Sequence, residues 1–191
     1  MNLGQTLMVI AALGMLGILV LNSNKTVLET TEVQNISEFG IAAVSLATSL
    51  VEEASGKMFD EVIADSTTAT LTAPTQLSSV LGKENAEAYR SGILDYNDFD
   101  DFNGLKLIFK DTVRDTSAVT ATGQIWHVPG LRTPYHVWCV VQYVDPSSLN
   151  GVSASRTWHK KLTVFVTTLE NLNPNMKKDT LVYPTIMSFW N

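Results

Sequence analysis

The sequence predicts an α+β protein: a long N-terminal helix, membrane-spanning in its first half, packed on an antiparallel β-sheet of about four to five strands. Three observations predict it. Residues 1–24 carry no charge and include an apolar run, Leu7–Leu21. No proline interrupts the chain between Met1 and Ala73, and apolar residues keep a helical spacing beyond Lys25. From Gly104 onward, short apolar stretches alternate with turn residues.

The run Leu7–Leu21 holds nine Leu, Ile or Val residues and no polar side chain. On insertion scales those residues favour a bilayer by roughly 3–5 kcal/mol. Counted from Leu3, the segment reaches ~28 Å as a helix, about the thickness of a hydrocarbon core. A secretory signal, a plain anchor, and a helix that is first anchor and then filament core are the three readings of such a run. The signal reading lacks its basic n-region, because no Lys or Arg precedes Lys25, and Leu21-Asn22-Ser23-Asn24 is a poor cleavage site.

Beyond the run, Leu28, Ile36, Phe39, Val44, Leu46, Leu50, Val51, Met58, Val62 and Ile63 fit one helix face, with Gly40, Ala43, Ala47 and Ala54 among them. Helix is therefore expected from about Leu3 to about Ile63, with a break near Asn22–Lys25, where Asn and Ser compete for backbone hydrogen bonds. A helix of this length is not held by propensity alone, so its second half must pack on a domain. Ala11-Ala12 and Gly14-x-x-Gly17 place small residues at helix–helix spacing, though Gly and Ala are common in any membrane helix.

The chain then divides into a loop region, 65–104, and a sheet region, 105–191. Asp65–Ser79 reads as a surface loop, and Lys83–Ser91 as a short helix. Asp95–Gly104 gathers four Asp and two Asn and ends in Asn-Gly, a turn signature. Oxygen ligands of this kind suit Ca²⁺, with Asp98, Asp100, Asp101 and Asn103 as the candidate ligands. The run lacks EF-hand spacing and the terminal Glu, so an Asx-rich loop that caps its own backbone is the competing reading. Phe99 and Phe102 are expected to point inward.

Leu105–Val113, Ala118–Val128, Tyr135–Val144, Arg156–Thr168 and Thr180–Phe189 read as strands. Pro129–Pro134 reads as the turn of a hairpin between the second and third. Pro184 marks the last as an edge strand or a bulge.

Composition limits the chemistry. The chain has 191 residues, 17% charged and 45% apolar, with net charge −6. That balance gives no electrostatic reason to expect nucleic acid, and Lys160-Lys161 and Lys177-Lys178 are too short to reverse it. The single cysteine, Cys139, forms no intrachain disulfide and reads as a buried hydrophobe. A symmetric hairpin would bring His127 opposite His136, but two histidines lack the third ligand of a catalytic metal site. Trp126, Trp138, Trp158 and Trp190 read as strand residues of a core or interface. No nucleophile, phosphate-binding loop or metal motif nominates an enzyme.

A helix that is apolar first and amphipathic afterwards, then a loop and a sheet, resembles the type IV pilin and pseudopilin family. Asp98-Phe99-Asp100-Asp101-Phe102-Asn103-Gly104 resembles the acidic DDxDDFDG turn of some pilin-like minor subunits. Trp158-His159-Lys160-Lys161-Leu162-Thr163-Val164-Phe165-Val166 resembles their KrvTVtV strand. The resemblance implies cleavage by a prepilin peptidase between Gly4 and Gln5, although Met1-Asn2-Leu3 has no basic residue and Gln5 stands where Phe is usual. It implies assembly through Leu7, Val9, Ile10, Leu13, Gly14, Gly17 and Leu21. It also implies other pilin-like subunits and the inner membrane as partners, and a domain outside the cytoplasm at the cell surface or on a filament. Val9 stands where the family usually has a glutamate that neutralises a neighbour's N-terminus, as in a tip or minor subunit. A single-pass anchored binding module is the alternative function, and a membrane-anchored hydrolase ranks last.

Overall fold

The computed structural model describes residues 3–64, 71–83, 96–111, 119–120, 123–131, 133–169 and 180–190. Residues 84–91 of the expected short helix, and Asp95 of the acidic turn, lie outside this set. The chain divides into two compact units, Met1–Ile41 and Ala42–Asn191.

The first unit is helical. Helix α1 runs unbroken over Leu3–Ser55, so the break expected at Asn22–Lys25 is absent. Local hydroxyls there bond carbonyls of the helix itself without interrupting it. Thr26 Oγ1 donates to the Asn22 carbonyl at 3.0 Å, and Thr30 and Thr31 donate likewise to Thr26 and Val27. Lys25 lies 3.7 Å from Glu29 one turn on. Leu7, Val9, Ile10, Leu13, Leu16, Leu19 and Leu21 are all exposed, so the apolar surface extends around the helix rather than forming one stripe.

The rest of α1 belongs to the second unit, where Ala43, Ala47, Leu50 and Ala54 form one buried stripe. Val44 and Met58 remain exposed and lie outside it. The helix ends at Ser55, about two turns before the expected Ile63. Gly56 follows, and its amide still donates to Glu52 and Glu53. A separate turn, α2 (Glu61–Ala64), then starts from Asp60, whose carboxylate accepts the Val62 amide at 3.3 Å.

The strands are β1 (Lys106–Lys110), β2 (Val119–Thr120), β3 (Gly123–His127), β4 (Tyr135–Asp145), β5 (Ser148–Val152), β6 (His159–Thr168) and β7 (Thr180–Ser188). Their order is β2-β3-β1-β4-β6-β7, with β5 paired to β4. The α+β class holds, but the sheet is larger than expected and mixed, because β1 and β3 pair in parallel. The expected hairpin across Pro129–Pro134 is not a pair, since β1 lies between β3 and β4. His127 therefore stands in register with Lys110, and His136 with Ile108, rather than with each other. Strand β1 carries three consecutive buried residues, Leu107, Ile108 and Phe109. A strand covered on both faces has this continuous pattern.

Strands β4 and β6 alternate as expected. Val137, Cys139 and Val141 face inward opposite Val166, Val164 and Leu162. On the other face Trp138 stacks on Phe165 at 5.1 Å and on His136 at 5.2 Å. Strand β7 is an edge, as Pro184 indicated. Trp158 and Trp190 fall just outside the strands, and Trp190 is exposed. Trp158 packs with Phe189 on a cluster of Phe59, Leu71, Leu77 and Tyr143.

Candidate functional site

The acidic turn forms because its own carboxylates cap its backbone. Asp98 Oδ1 accepts the amides of Asp100 and Asp101, and Asp101 Oδ2 accepts those of Asn97 and Asp98. Residues Asp100–Phe102 make one 3₁₀ turn, and Gly104 leaves it with a φ of 79°, a left-handed conformation that glycine adopts without strain. Phe99 and Phe102 are fully buried and anchor the turn, with Tyr96 edge-on to Phe102 at 5.1 Å.

Two further attachments fix its place. Met58 pairs with Asp98 as a parallel bridge, with Phe99 N–H donating to the Met58 carbonyl at 2.8 Å. The Asn103 amide donates to the Leu81 carbonyl at 2.9 Å, and its Oδ1 accepts the Val141 amide at 3.0 Å. The turn is thereby tied to the segment after α1 and to the central strand β4.

Lys160 enters this region from β6. By strand parity it lies on the same face as Leu162, Val164 and Val166, and it is fully buried. Its ammonium donates to Asp60 Oδ2 at 2.7 Å, to the Phe59 carbonyl at 2.8 Å, and to Asp100 Oδ1. The rings of Phe59 and Tyr143 lie 4.7 and 5.5 Å from it. Asp60, also fully buried, further accepts the Ser78 amide at 3.1 Å and the Ser78 hydroxyl at 2.9 Å. The Tyr143 hydroxyl donates to the Ser78 carbonyl at 2.8 Å.

Four carboxyl groups, Asp60, Asp98, Asp100 and Asp101, are thus buried in this region, and two of them, Asp60 and Asp100, pair with the buried Lys160 ammonium. Excess negative charge in a dry site favours protonation. Burial, then the charges of Asp100 and Asp101, push Asp98 up to about 8. Burial also raises Asp100, opposed chiefly by Lys160. Burial with the nearby aspartates raises the Tyr143 phenol far above its usual range.

The expected Ca²⁺ ligands are therefore brought into one loop, and part of their oxygens already have partners. Asp100 Oδ1 faces Lys160, Asn103 Oδ1 holds a β4 amide, and Asp98 Oδ1 and Asp101 Oδ2 each hold two loop amides, whereas Asp98 Oδ2, Asp100 Oδ2 and Asp101 Oδ1 are buried without a hydrogen-bond partner. Among the described residues, no group of three His, Cys, Asp or Glu side chains is placed to hold a metal ion. The cation facing this turn is the Lys160 ammonium.

The N-terminal residues are placed separately. Gly4 and Gln5 lie exposed in the first turns of α1. A Cβ added at Gly14 or Gly17 meets nothing within 4 Å, so this chain does not itself use their small size. Helix α1 is long and apolar enough to cross a membrane. The sequence reading missed Lys160 and Asp60. Strand parity carried a signal for Lys160, whereas Asp60 fell inside the helix expected to reach Ile63 and carried none.

No family model, curated protein or solved structure matches the chain.

Proposed function

We propose that the chain is a pilin-like structural subunit of a type IV pilus or type II secretion pseudopilus, anchored and then assembled through α1. The observation that carries this reading is the division of labour along one unbroken helix. Residues up to Ile41 expose apolar side chains around the helix, whereas Ala43, Ala47, Leu50 and Ala54 are buried in the sheet unit. An apolar helix with no internal partner requires lipid or other helices around it. A subunit that moves from membrane to filament core uses both surroundings in turn. Partners are then other copies or related subunits, and the sheet and its loops face outward.

Val9 supports a minor or tip position, because a subunit with no neighbour above it has no ammonium to neutralise. The same residue favours the second reading, a single-pass anchored binding module. N-terminal sequencing of the protein from its native membrane, with sedimentation of sheared surface material, separates them. A mature chain beginning at Gln5 that sediments in filaments supports the subunit. A chain that retains Gly4 and extracts as a discrete detergent particle refutes it in favour of the anchored module.

A further inference from the structure

We propose that Lys160 and Asp100 are joined by an intramolecular isopeptide bond that fastens β6 to the acidic turn. The geometry supplies nucleophile, electrophile and proton carrier in one buried place. The nucleophile is the Lys160 amine, fully buried between the rings of Phe59 and Tyr143 and touching the Asp100 carboxyl. Burial excludes water from the nitrogen, and the contact with Asp100 holds it against the carboxyl carbon it attacks.

Two carboxyls touch Lys160, and they differ in reactivity. Asp60 holds the amide and hydroxyl of Ser78 and the amide of Val62, so both of its oxygens are already bonded to donors and neither is free to leave. Asp100 Oδ2 is buried without a hydrogen-bond partner. That free oxygen can take the proton it needs in order to leave. Asp98 lies beside it, and its own Oδ2 is likewise buried without a partner. It is placed to relay a proton from Nζ to the departing oxygen.

The step balances within the chain. The Nζ–Cγ bond forms and one Cγ–O bond of Asp100 breaks. The departing oxygen takes two protons from the former ammonium and leaves as water. An ammonium and a carboxylate become one amide, no electrons are transferred, and Asp98 ends in its starting state. Holding both groups in place supplies effective molarities on the order of 10⁵–10⁸ M. The reaction also removes a buried ion pair whose desolvation is costly.

The test is tandem mass spectrometry of the full chain purified from its membrane and digested with protease. The expected result is one branched peptide joining the Asp100 and Lys160 segments, lighter than their sum by one water. Asp98→Asn should give the two segments unjoined at full mass. Asp100→Asn should still join them, now with loss of ammonia. Separate, full-mass Asp100 and Lys160 peptides from the wild-type chain overturn the proposal without reference to any variant. So does a water loss confined to one segment, which marks a succinimide instead.

Discussion

Removing the Asp60 carboxylate should be among the most damaging single changes in the sheet unit. Its side chain accepts from Val62 N–H, Ser78 N–H, Ser78 O–H and Lys160, and the Tyr143 hydroxyl lies 3.4 Å away. Asp60→Ala takes one acceptor from the buried Lys160 nitrogen and leaves the Val62 and Ser78 amides and the Ser78 hydroxyl without theirs. At about 1–3 kcal/mol for each buried donor left without an acceptor, the loss of several comes to about 3–5 kcal/mol. For a unit of this size that lowers the melting temperature by roughly 6–20 °C. Asp60→Asn should do little better. Every partner of Asp60 is a donor, whereas the amide offers one acceptor oxygen and turns its own N–H groups toward the others. The assay is thermal unfolding of the full chain in detergent, followed by tryptophan fluorescence. Trp158 packs on Phe189, which packs on Phe59 at 5.7 Å, so the reporter adjoins the site. A drop below about 3 °C for Asp60→Ala, equivalent to roughly 1 kcal/mol, would refute the reasoning. Full rescue by Asp60→Asn would refute it too, because it would mean that charge and acceptor number are irrelevant.

Asp98 sets a pH dependence whose sign follows from its raised value of about 8. The unfolded carboxyl titrates near ~3.9, so its contribution is greatest below that pH and is lost as pH rises toward 8. The melting difference between wild type and Asp98→Asn should therefore shift against wild type across that interval, and a pH-independent difference would contradict it. Asn103→Ala removes the acceptor for the Val141 amide and should cost about 1–3 kcal/mol in denaturant unfolding. Cys139 is buried, and its thiol is pushed up to about 12 by burial. It should resist alkylation in the native chain and react on unfolding, so rapid native labelling would count against the fold. Leu13→Arg places a charge within the apolar run at a cost of about 2.5–3.5 kcal/mol and should shift the protein out of the membrane fraction on cell fractionation.

The features legible from sequence were those that local periodicity can carry. The apolar run and the stripe Ala43, Ala47, Ala54 gave the helix, and the alternation of Leu162, Val164 and Val166 gave β6. Pro184 marked the edge strand. The helix end and the hairpin were misread where tertiary pairing overrode the local signal. A turn at Pro129–Pro134 fixes that the chain reverses, not which strand lies beside which, and β1 enters between the two runs. Its unalternated Leu107-Ile108-Phe109 was nevertheless the mark of an inner strand.

Lys160 shows how far the site itself could be read. Next to Lys161 it resembles a solvated basic pair, yet a period of two places it on the face of Leu162, Val164 and Val166, where a charge is expensive unless paired. That parity makes a buried lysine with an acidic partner a deducible expectation, and the cluster Asp98–Asp101 is the densest acid source in the chain. Parity cannot identify Asp60, which meets Lys160 across 100 residues. The acidic turn and the buried lysine are therefore one feature written in two separated places. Replacing Lys160 alone by an apolar residue should be poorly tolerated, because it leaves Asp60 and Asp100 buried without their shared cation.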